Sequence, residues 1–330
     1  MGNKQIENNS PLSLVQPRMV CFVDTMKSPP KYRVRLAAQA LSCFGALVSA
    51  HAQTNQGQFA EVPLKMRQGD LLVETRANGS DQLTFKLDTG FGITTINPNR
   101  AESLNLKRVG RITILGIAGE EQAITYGGLA CDFAGLLYEP RRVAALPSEG
   151  GRRSRNRDGI LGAGFFRRFV VEIDVANRRL GLHEPKSFIY EGSGEVLPLE
   201  FKKDTPIVEA VIVPSGRKAV VGRFEIDTGC DDCICFGHEF VEANGLVETT
   251  NSAQKDLRRG IGGNAEVQRG MLDELRLGKL VVKTPSANFF MQGSPAGRDL
   301  AGHIGLGALQ RFKMIFDYSR GRLILEPEKQ

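Results

Sequence analysis

The segment FKLDTG at residues 85–90 recurs as FEIDTG at residues 224–229. In both copies a predicted strand ends at an aspartate, and a threonine and a glycine follow the aspartate. Gly90 and Gly229 let the backbone turn sharply and approach another segment closely. The repeated pattern therefore predicts two equivalent strand ends, each of which presents a carboxylate.

The two segments belong to a duplication that covers most of the chain. The sequence VPLKM at residues 62–66 is echoed by LPLEF at residues 197–201. Further along, GILG at residues 159–162 corresponds to GHIG at residues 302–305. These landmarks recur in the same order at a nearly constant offset, which indicates two homologous units.

The duplication predicts an N-terminal lobe at residues 53–190 and a C-terminal lobe at residues 191–330. Apolar residues recur within each lobe in short runs or in alternation, and Gly, Pro, Asn and Asp bound these runs, which is typical of strands. Helical periodicity is brief, at residues 98–106 and 238–246. The predicted fold class is mainly β, with two homologous lobes related by a pseudo-twofold axis.

Residues 1–52 are predicted to be an N-terminal extension and signal peptide. Basic residues precede an apolar stretch at residues 36–50, and the small-x-small sequence AHA follows at residues 50–52. The apolar stretch is shorter than the roughly 20 residues that span a bilayer. We expect cleavage after Ala52, with Met26 as an alternative start, and export to the periplasm or the medium. The protein would then contact a membrane only through its signal peptide, during export.

The charge distribution argues against a nucleic-acid partner. The chain carries 43 Lys and Arg against 37 Asp and Glu, but most of this excess lies in the first 52 residues. The remainder is nearly balanced, and there is no Trp and only five Tyr to form stacking platforms for bases.

The repeated aspartates carry the predicted chemistry. If the lobes face each other across a pseudo-twofold axis, Asp88 and Asp227 come together. Two adjacent carboxylates share one proton and titrate as a coupled pair. The protonated member can polarise a carbonyl while the ionised member takes a proton from water. This arrangement can add water to an amide with no metal and no cofactor, and one chain supplies both carboxylates, so a monomer suffices.

The sequence resembles the aspartic peptidases, most closely the retropepsin-like exported bacterial type. The resemblance rests on the two Asp-Thr-Gly motifs and on the downstream Ile-Leu-Gly at residues 160–162. It implies β-barrel lobes of the retropepsin-like (acid-protease) type and an endopeptidase acting on proteins or peptides. The implied catalytic pair is Asp88 and Asp227, with Thr89 and Thr228 in interlocking hydrogen bonds beneath them.

The resemblance also implies hairpins that cover the cleft, known as flaps. Glycine-rich segments that would form such hairpins occur in both halves, around residues 116–119 and 260–263. Two flaps are more like a fused retropepsin dimer than like pepsin, which has one. The flap candidates are Gly116, Gly119, Gly262 and Gly263.

Three residues depart from the family pattern. Phe91 and Cys230 follow the two Asp-Thr-Gly motifs, where the family usually has Ala, Ser or Thr. His303 is polar where the family pattern is apolar. These departures keep open an alternative function, a catalytically silent peptide-binding protein on the same fold.

A cysteine cluster follows the second motif. Cys230, Cys233, Cys235 and His238 have the spacing C-x-x-C-x-C-x-x-H. Unpaired packed cysteines, a disulfide within the cluster and a tetrahedral zinc site are all compatible with this spacing. We favour unpaired cysteines and expect no metal.

A basic stretch runs from Arg141 to Arg168 and contains eight arginines. Its central Gly, Ser and Asn residues are typical of a solvated loop, which is the interpretation we favour. A docking site for an acidic substrate or an anionic surface is the alternative.

Overall fold

The computed structural model describes residues 59–79, 82–117, 119–150, 156–247, 254–297 and 299–328. The predicted extension and signal peptide lie outside these described residues. No helix within the described ranges combines the length and the apolar character needed to cross a membrane.

The first half of the described chain consists mainly of short strands, with two short helices between them. Its strands are β1 (Phe59–Arg67), β2 (Asp70–Ala77), β3 (Gln82–Leu87), β4 (Thr95–Ile96), β5 (Lys107–Gly116), β6 (Gly119–Gly127), β7 (Cys131–Phe133), β8 (Leu136–Tyr138), β9 (Val143–Ala145), β10 (Gly159–Leu161), β11 (Val170–Asp174) and β12 (Arg179–His183). Its helices are α1 (Pro98–Ser103) and α2 (Ala163–Arg168), and a 3-10 turn occupies Pro147–Gly150.

The second half repeats this element order in outline. Its strands are β13 (Glu195–Pro198), β14 (Glu200–Lys202), β15 (Thr205–Val213), β16 (Val220–Asp227), β17 (Ile234–Phe236), β18 (Gln254–Gly260), β19 (Gly263–Met271), β20 (Glu274–Leu277), β21 (Leu280–Lys283), β22 (Ser286–Phe290), β23 (Gly302–Gly305), β24 (Phe312–Asp317) and β25 (Arg322–Pro327). Its helices are α3 (His238–Ala243) and α4 (Leu306–Leu309), and a 3-10 turn occupies Tyr318–Arg320.

Strand formation follows the alternation of apolar residues. In β1 the side chains of Ala60, Val62 and Leu64 are buried, and the residues between them are exposed. This period of two places one face of the strand on the core. The two central strands, β3 and β16, bury Phe85 and Phe224 completely. Each lobe therefore builds its core around the strand that leads to its aspartate.

The two lobes share one topology around these central strands. In the first lobe β3 runs parallel to β10, which pairs antiparallel with β4. In the second lobe β16 runs parallel to β23, which pairs antiparallel with β17. The hairpins β5–β6 and β18–β19 occupy equivalent places in the two sheets. The sequence duplication is thus a duplication of strand pairing.

A sheet assembled from both halves joins the lobes. Its strand order is β13-β25-β24-β11-β12-β1. The central pair consists of β11 and β24, which pair antiparallel with Ile173 opposite Met314. The predicted boundary between residues 190 and 191 falls in the connection from β12 to β13. The halves consequently fold as one body.

The two predicted helices are present but shorter than expected. Helix α1 begins at Pro98, where the Asn97 side chain accepts a hydrogen bond from the backbone N–H of Asn99 at 3.0 Å. The predicted ends at residues 106 and 246 are wrong by three residues. Asn105 (φ 51°) and Gly245 (φ 57°) adopt left-handed backbone conformations that terminate a helix.

Candidate active site

Each Asp-Thr-Gly motif begins where a central strand ends, and the chain then turns back on itself. The backbone N–H of Phe91 donates to the carbonyl of Asp88 at 3.3 Å. In the second lobe the N–H of Cys230 donates to the carbonyl of Asp227, also at 3.3 Å. The repeat thus places both aspartates in the same kind of turn.

A symmetric set of hydrogen bonds locks the two turns together. The backbone N–H of Thr89 donates to Oγ1 of Thr228 at 3.1 Å, and the N–H of Thr228 donates to Oγ1 of Thr89 at 3.0 Å. Each hydroxyl then donates to a carbonyl of the opposite strand, Thr89 to Ile226 at 2.7 Å and Thr228 to Leu87 at 3.2 Å. Both threonines are fully buried. This hydrogen-bond network fixes the separation of the two strand ends.

The motif glycines let each carboxylate lie over the opposite turn. A Cβ atom added to Gly229 would lie 2.0 Å from Oδ2 of Asp88. One added to Gly90 would lie 2.8 Å from Cγ of Asp227. Only glycine leaves this space. The structure therefore brings Asp88 and Asp227 together across the pseudo-twofold axis, with Gly90 and Gly229 beneath them.

Burial and mutual repulsion make it unfavourable for both carboxylates to be ionised. Burial, followed by the charge of Asp227, raises the pKa of Asp88 to about 7, although the cations Lys86 and Arg157 oppose the shift. Burial also raises the pKa of Asp227, and the nearby His303 opposes this shift. A pair with these properties retains one proton over an acidic to neutral range.

The residues two positions before the aspartates differ in charge between the lobes. Lys86 donates to the carbonyl of Gly229 at 2.6 Å, and its Nζ lies 4.0 Å from Oδ2 of Asp88. At the equivalent position Glu225 has its pKa raised to about 8, first by burial and then by the charge of Asp227. Neither residue was predicted from the sequence as part of the site. Both occupy the second position of the repeated segments FKLDTG and FEIDTG, and their opposite charges there could have identified them.

Two cysteines and a histidine lie beside Asp227. The Cys235 thiol hydrogen-bonds to Cys230, and this bond together with the His303 charge lowers the pKa of Cys230 to about 5 despite burial. Burial works against the charge on His303, but the Cys230 thiolate and Asp227 outweigh it and raise its pKa to about 10. All three side chains line the cleft above the dyad. The cluster is polar, and it is coupled to one of the two carboxylates.

The cysteines are unpaired in the structure, and only part of the cluster predicted from spacing comes together. Cys131, Cys230, Cys233 and Cys235 are all free thiols. Cys233 packs against the main hydrophobic core. His238 lies 3.4 Å from Glu242 within α3. The spacing C-x-x-C-x-C-x-x-H thus does not describe one group of donors, and the histidine beside the thiols is His303.

Two hairpins cover the cleft, and their tips touch. Gly116 pairs with Gly119 at the tip of β5–β6, and Gly263 closes β18–β19 after a turn in which Gly262 has φ +83°. A Cβ added to Gly116 would lie 2.3 Å from Cβ of Ile261. The flap candidates therefore occupy the tips of two hairpins that meet above the dyad.

Each flap tip packs on the opposite lobe. Ile117, from the first flap, belongs to a cluster with Cys230 and Phe290 of the second lobe. Ile261, from the second flap, belongs to a cluster with Phe91 and Ile114 of the first lobe. The two residues that depart from the family pattern after Asp-Thr-Gly are thus part of the floor on which the opposite flap rests.

Parts of the basic stretch make ion pairs in the structure. Arg157 lies 3.0 Å from Asp70, and Arg168 lies 2.5 Å from Glu184. Residues 151–155 lie outside the described residues. Arg157 and Arg168 therefore make local ion pairs, and Arg157, whose side chain is only 14% exposed, also lines the cleft beside Asp88.

Comparison with known proteins supports the fold. No protein-family model matches the sequence, and no curated protein matches it. Among solved structures, the chain is similar to the aspartic proteinase from Irpex lacteus, with a TM-score of 0.55 and 14% sequence identity. The similarity covers 82% of this chain and 97% of that chain. The predicted fold class, mainly β and bilobal as in aspartic proteinases, is confirmed.

Proposed function

We propose that this protein is an aspartic endopeptidase in which Asp88 and Asp227 activate a water molecule. The observation that carries the proposal is the buried carboxylate pair, one member from each lobe, held by the hydrogen-bond network of Thr89 and Thr228. A buried pair of like charges is costly to maintain, and perturbed carboxylates in a cleft are typical of catalytic sites. The bilobal fold shared with an aspartic proteinase supports the same conclusion.

The geometry supports a mechanism that needs only the chain's own groups. The ionised carboxylate takes a proton from the water as its oxygen attacks the carbonyl carbon of the substrate. The protonated carboxyl gives its proton to the carbonyl oxygen, which yields a neutral gem-diol. The carboxyl that took the water proton then gives it to the amide nitrogen, while the other carboxylate takes a proton from one hydroxyl of the gem-diol, and the C–N bond breaks to release an acid and an amine. The dyad returns to its singly protonated state.

The flaps indicate an extended peptide as substrate. Strands β5 and β18 stand at the ends of their sheets, and each pairs only with its hairpin partner among the described strands. Such edges can add a peptide strand through backbone hydrogen bonds. We include export in the proposal because of the signal-like segment at residues 1–52, and a monomer because one chain supplies both carboxylates.

The proposal is tested with Asp227→Asn and Asp88→Asn in a denatured-protein cleavage assay from pH 3 to 8. Each variant should lose activity by about 100-fold or more, because it removes the general acid–base pair. Asp132→Asn is the matched control, since Asp132 is exposed and caps the turn at Gly135 with a 2.7 Å hydrogen bond. Its activity should stay within about twofold of the parent.

Folding is checked independently by comparing melting temperatures and circular dichroism. A folded Asp227→Asn variant with most of its activity would overturn the assignment. A folded parent chain that binds peptide but cleaves none at any pH would instead identify the silent peptide-binding protein. Cys230 and His303, which are unlike the family pattern and border Asp227, are the feature that would favour that outcome.

A further inference from the structure

His303 is a buried side chain whose ring interacts with the sulfur of Cys230. It lies on β23, paired in register with Glu225 of β16, and is 6% exposed. Among the described residues, no nitrogen or oxygen atom is a hydrogen-bond partner of either ring nitrogen. Its Nδ1 lies 3.8 Å from Oδ2 of Asp227, which is too far for a hydrogen bond. The ring is therefore buried beside a sulfur, with no nitrogen or oxygen atom of the described residues to occupy its ring nitrogens.

Two thiols converge on the same ring. The sulfurs of Cys230 and Cys235 and a ring nitrogen of His303 all lie within 4.8 Å of one another. Cys235 pairs with His303 in the register of β17 and β23. Cys230 is held by its carbonyl, which accepts from the N–H of Leu306 at 2.7 Å. Sheet register and a fixed turn therefore place the three donors.

We propose that Cys230, Cys235 and His303 form a binding site for a zinc ion. Zinc prefers thiolate and imidazole donors at about 2.3 Å and 2.0 Å, which sets tetrahedral donors about 3.5 to 3.8 Å apart. The observed group needs a contraction of at most about 1.3 Å to reach this spacing. This set differs from the one suggested by sequence spacing, and it replaces the expectation of no metal.

Neighbouring groups suit a fourth ligand and a supporting layer. Oδ2 of Asp232 lies 3.6 Å from the sulfur of Cys235 and 3.9 Å from that of Cys230. Arg258 holds the other oxygen of Asp232 at 2.7 Å. Nδ2 of Asn288 donates to the Cys235 sulfur at 3.6 Å, which stabilises a thiolate. Supporting hydrogen bonds of this kind orient metal ligands.

The charge and proton balance of the site is simple. Two thiolates neutralise the charge of a Zn²⁺ ion, the imidazole binds as a neutral ligand, and the Asp232 carboxylate would add one negative charge as the fourth ligand. Protons carried by the thiols and the ring are released to solvent on binding. No electron transfer is involved. The site is therefore expected to bind zinc more tightly as the pH rises.

The test is zinc protection of thiols in the reduced, folded parent chain. Alkylation by iodoacetamide is followed by peptide mass mapping with and without Zn²⁺. We expect Zn²⁺ to slow modification of Cys230 and Cys235 at least tenfold and to leave Cys233 unchanged. Cobalt(II) in place of zinc should give near-ultraviolet thiolate charge-transfer bands and visible bands of tetrahedral intensity.

Variants then identify the ligands. Cys235→Ser and His303→Asn should each weaken zinc binding by at least 100-fold in a competition titration with a chromophoric chelator. Cys233→Ser is the matched control, because Cys233 is two residues from Cys235 and packs against the core instead. Its zinc affinity should stay within about threefold of the parent.

Several outcomes would overturn the site. One is equal zinc protection of Cys233, and another is no protection of any cysteine in the folded parent. A third is a Cys230–Cys235 disulfide in freshly purified protein whose reduced form binds no zinc. The alkylation experiment uses the unsubstituted chain, so the proposal stays testable even if His303→Asn fails to fold.

Discussion

Lys86 is the charged group whose removal gives the clearest test of how the dyad is tuned. Its Nζ lies 4.0 Å from Oδ2 of Asp88 and 2.6 Å from Oδ1 of Asp70, and its side chain is only 10% exposed. Replacement by methionine keeps an unbranched stem of similar length and removes the cation. The substitution thus changes the electrostatics of Asp88 with little change in packing.

The expected magnitude follows from Coulomb's law. Two unit charges 4 Å apart at an effective dielectric constant of about 20 interact by about 4 kcal/mol, which corresponds to about 3 pKa units. Asp70 shares the Lys86 cation, and Arg157, 3.0 Å from Asp70, restores part of its effect. We therefore expect Lys86→Met to raise the pKa of Asp88 by about 1 to 3 units.

The sign of the effect is set by the role of the shared proton. The cation lowers the pKa of Asp88, so removing it lets the dyad keep its proton to higher pH. The alkaline limb of the kcat/KM profile, which reports the free enzyme, should move upward by about 1 to 3 pH units. Lys86→Arg keeps the charge and should leave the limb near its parent position.

The assay is kcat/KM for peptide cleavage between pH 3 and 9. Lys65→Met is the matched control, since Lys65 is an exposed lysine on β1 that pairs with Glu74 at 2.5 Å. An alkaline limb that stays within about 0.3 pH unit, or moves downward, would refute the electrostatic argument. A lower rate with unchanged limbs would assign Lys86 instead to holding the turn at Gly229, to which it donates at 2.6 Å.

Two further predictions concern the turn beneath the dyad and the stability of the joining sheet. Gly229→Ala should lower activity at least 100-fold, because the new Cβ would lie 2.0 Å from Oδ2 of Asp88 and displace that carboxylate. A displacement of about 1 Å in a catalytic group costs about 100-fold in rate. Gly92→Ala is the control and should keep its activity, since no atom lies within 4 Å of the new Cβ. Burial raises the pKa of Asp317, but bonds from Ser319, Arg322 and Arg320 outweigh burial and lower it, so its stabilisation is present above the unfolded pKa near 4 and is lost as the pH falls. Urea unfolding should therefore show Asp317→Asn destabilised by about 3 kcal/mol at pH 7 and by clearly less at pH 3; an equal loss at both values would contradict the assignment to charge.

Internal repetition made the fold and the dyad predictable. Two segments in register, each with an apolar residue before Asp-Thr-Gly, imply equivalent strand ends, and the structure has them in β3 and β16. When two equivalent strand ends contact each other through the same residues, they are related by a twofold axis. The reciprocal hydrogen bonds of Thr89 and Thr228 make this contact. Glycine positions were also informative, because a tight hairpin needs them at its tip.

Side-chain neighbours that come from distant segments were not predictable in the same way. The spacing of Cys230, Cys233 and Cys235 is local, but Cys233, which precedes β17, packs against the main core, whereas Cys235 lies in a cluster with Cys230. Register with β23 brings His303 to Cys235, and no spacing in the sequence records that contact. The charges of Lys86 and Glu225 can be read from the sequence. Their effect on the pKa values of the two aspartates depends on burial beside the dyad, which only the structure shows.

The residues that follow the two Asp-Thr-Gly motifs show how an apparent defect can be a packing requirement. Ile261 clusters with Phe91, and Ile117 clusters with Cys230, each across the lobe boundary. A small serine or alanine there would leave a flap tip with less apolar surface to cover. The tips also touch each other, at Gly116 and Ile261. Each flap tip therefore packs both on the opposite lobe and on the other flap, so a displacement of one tip would remove apolar contacts of the other.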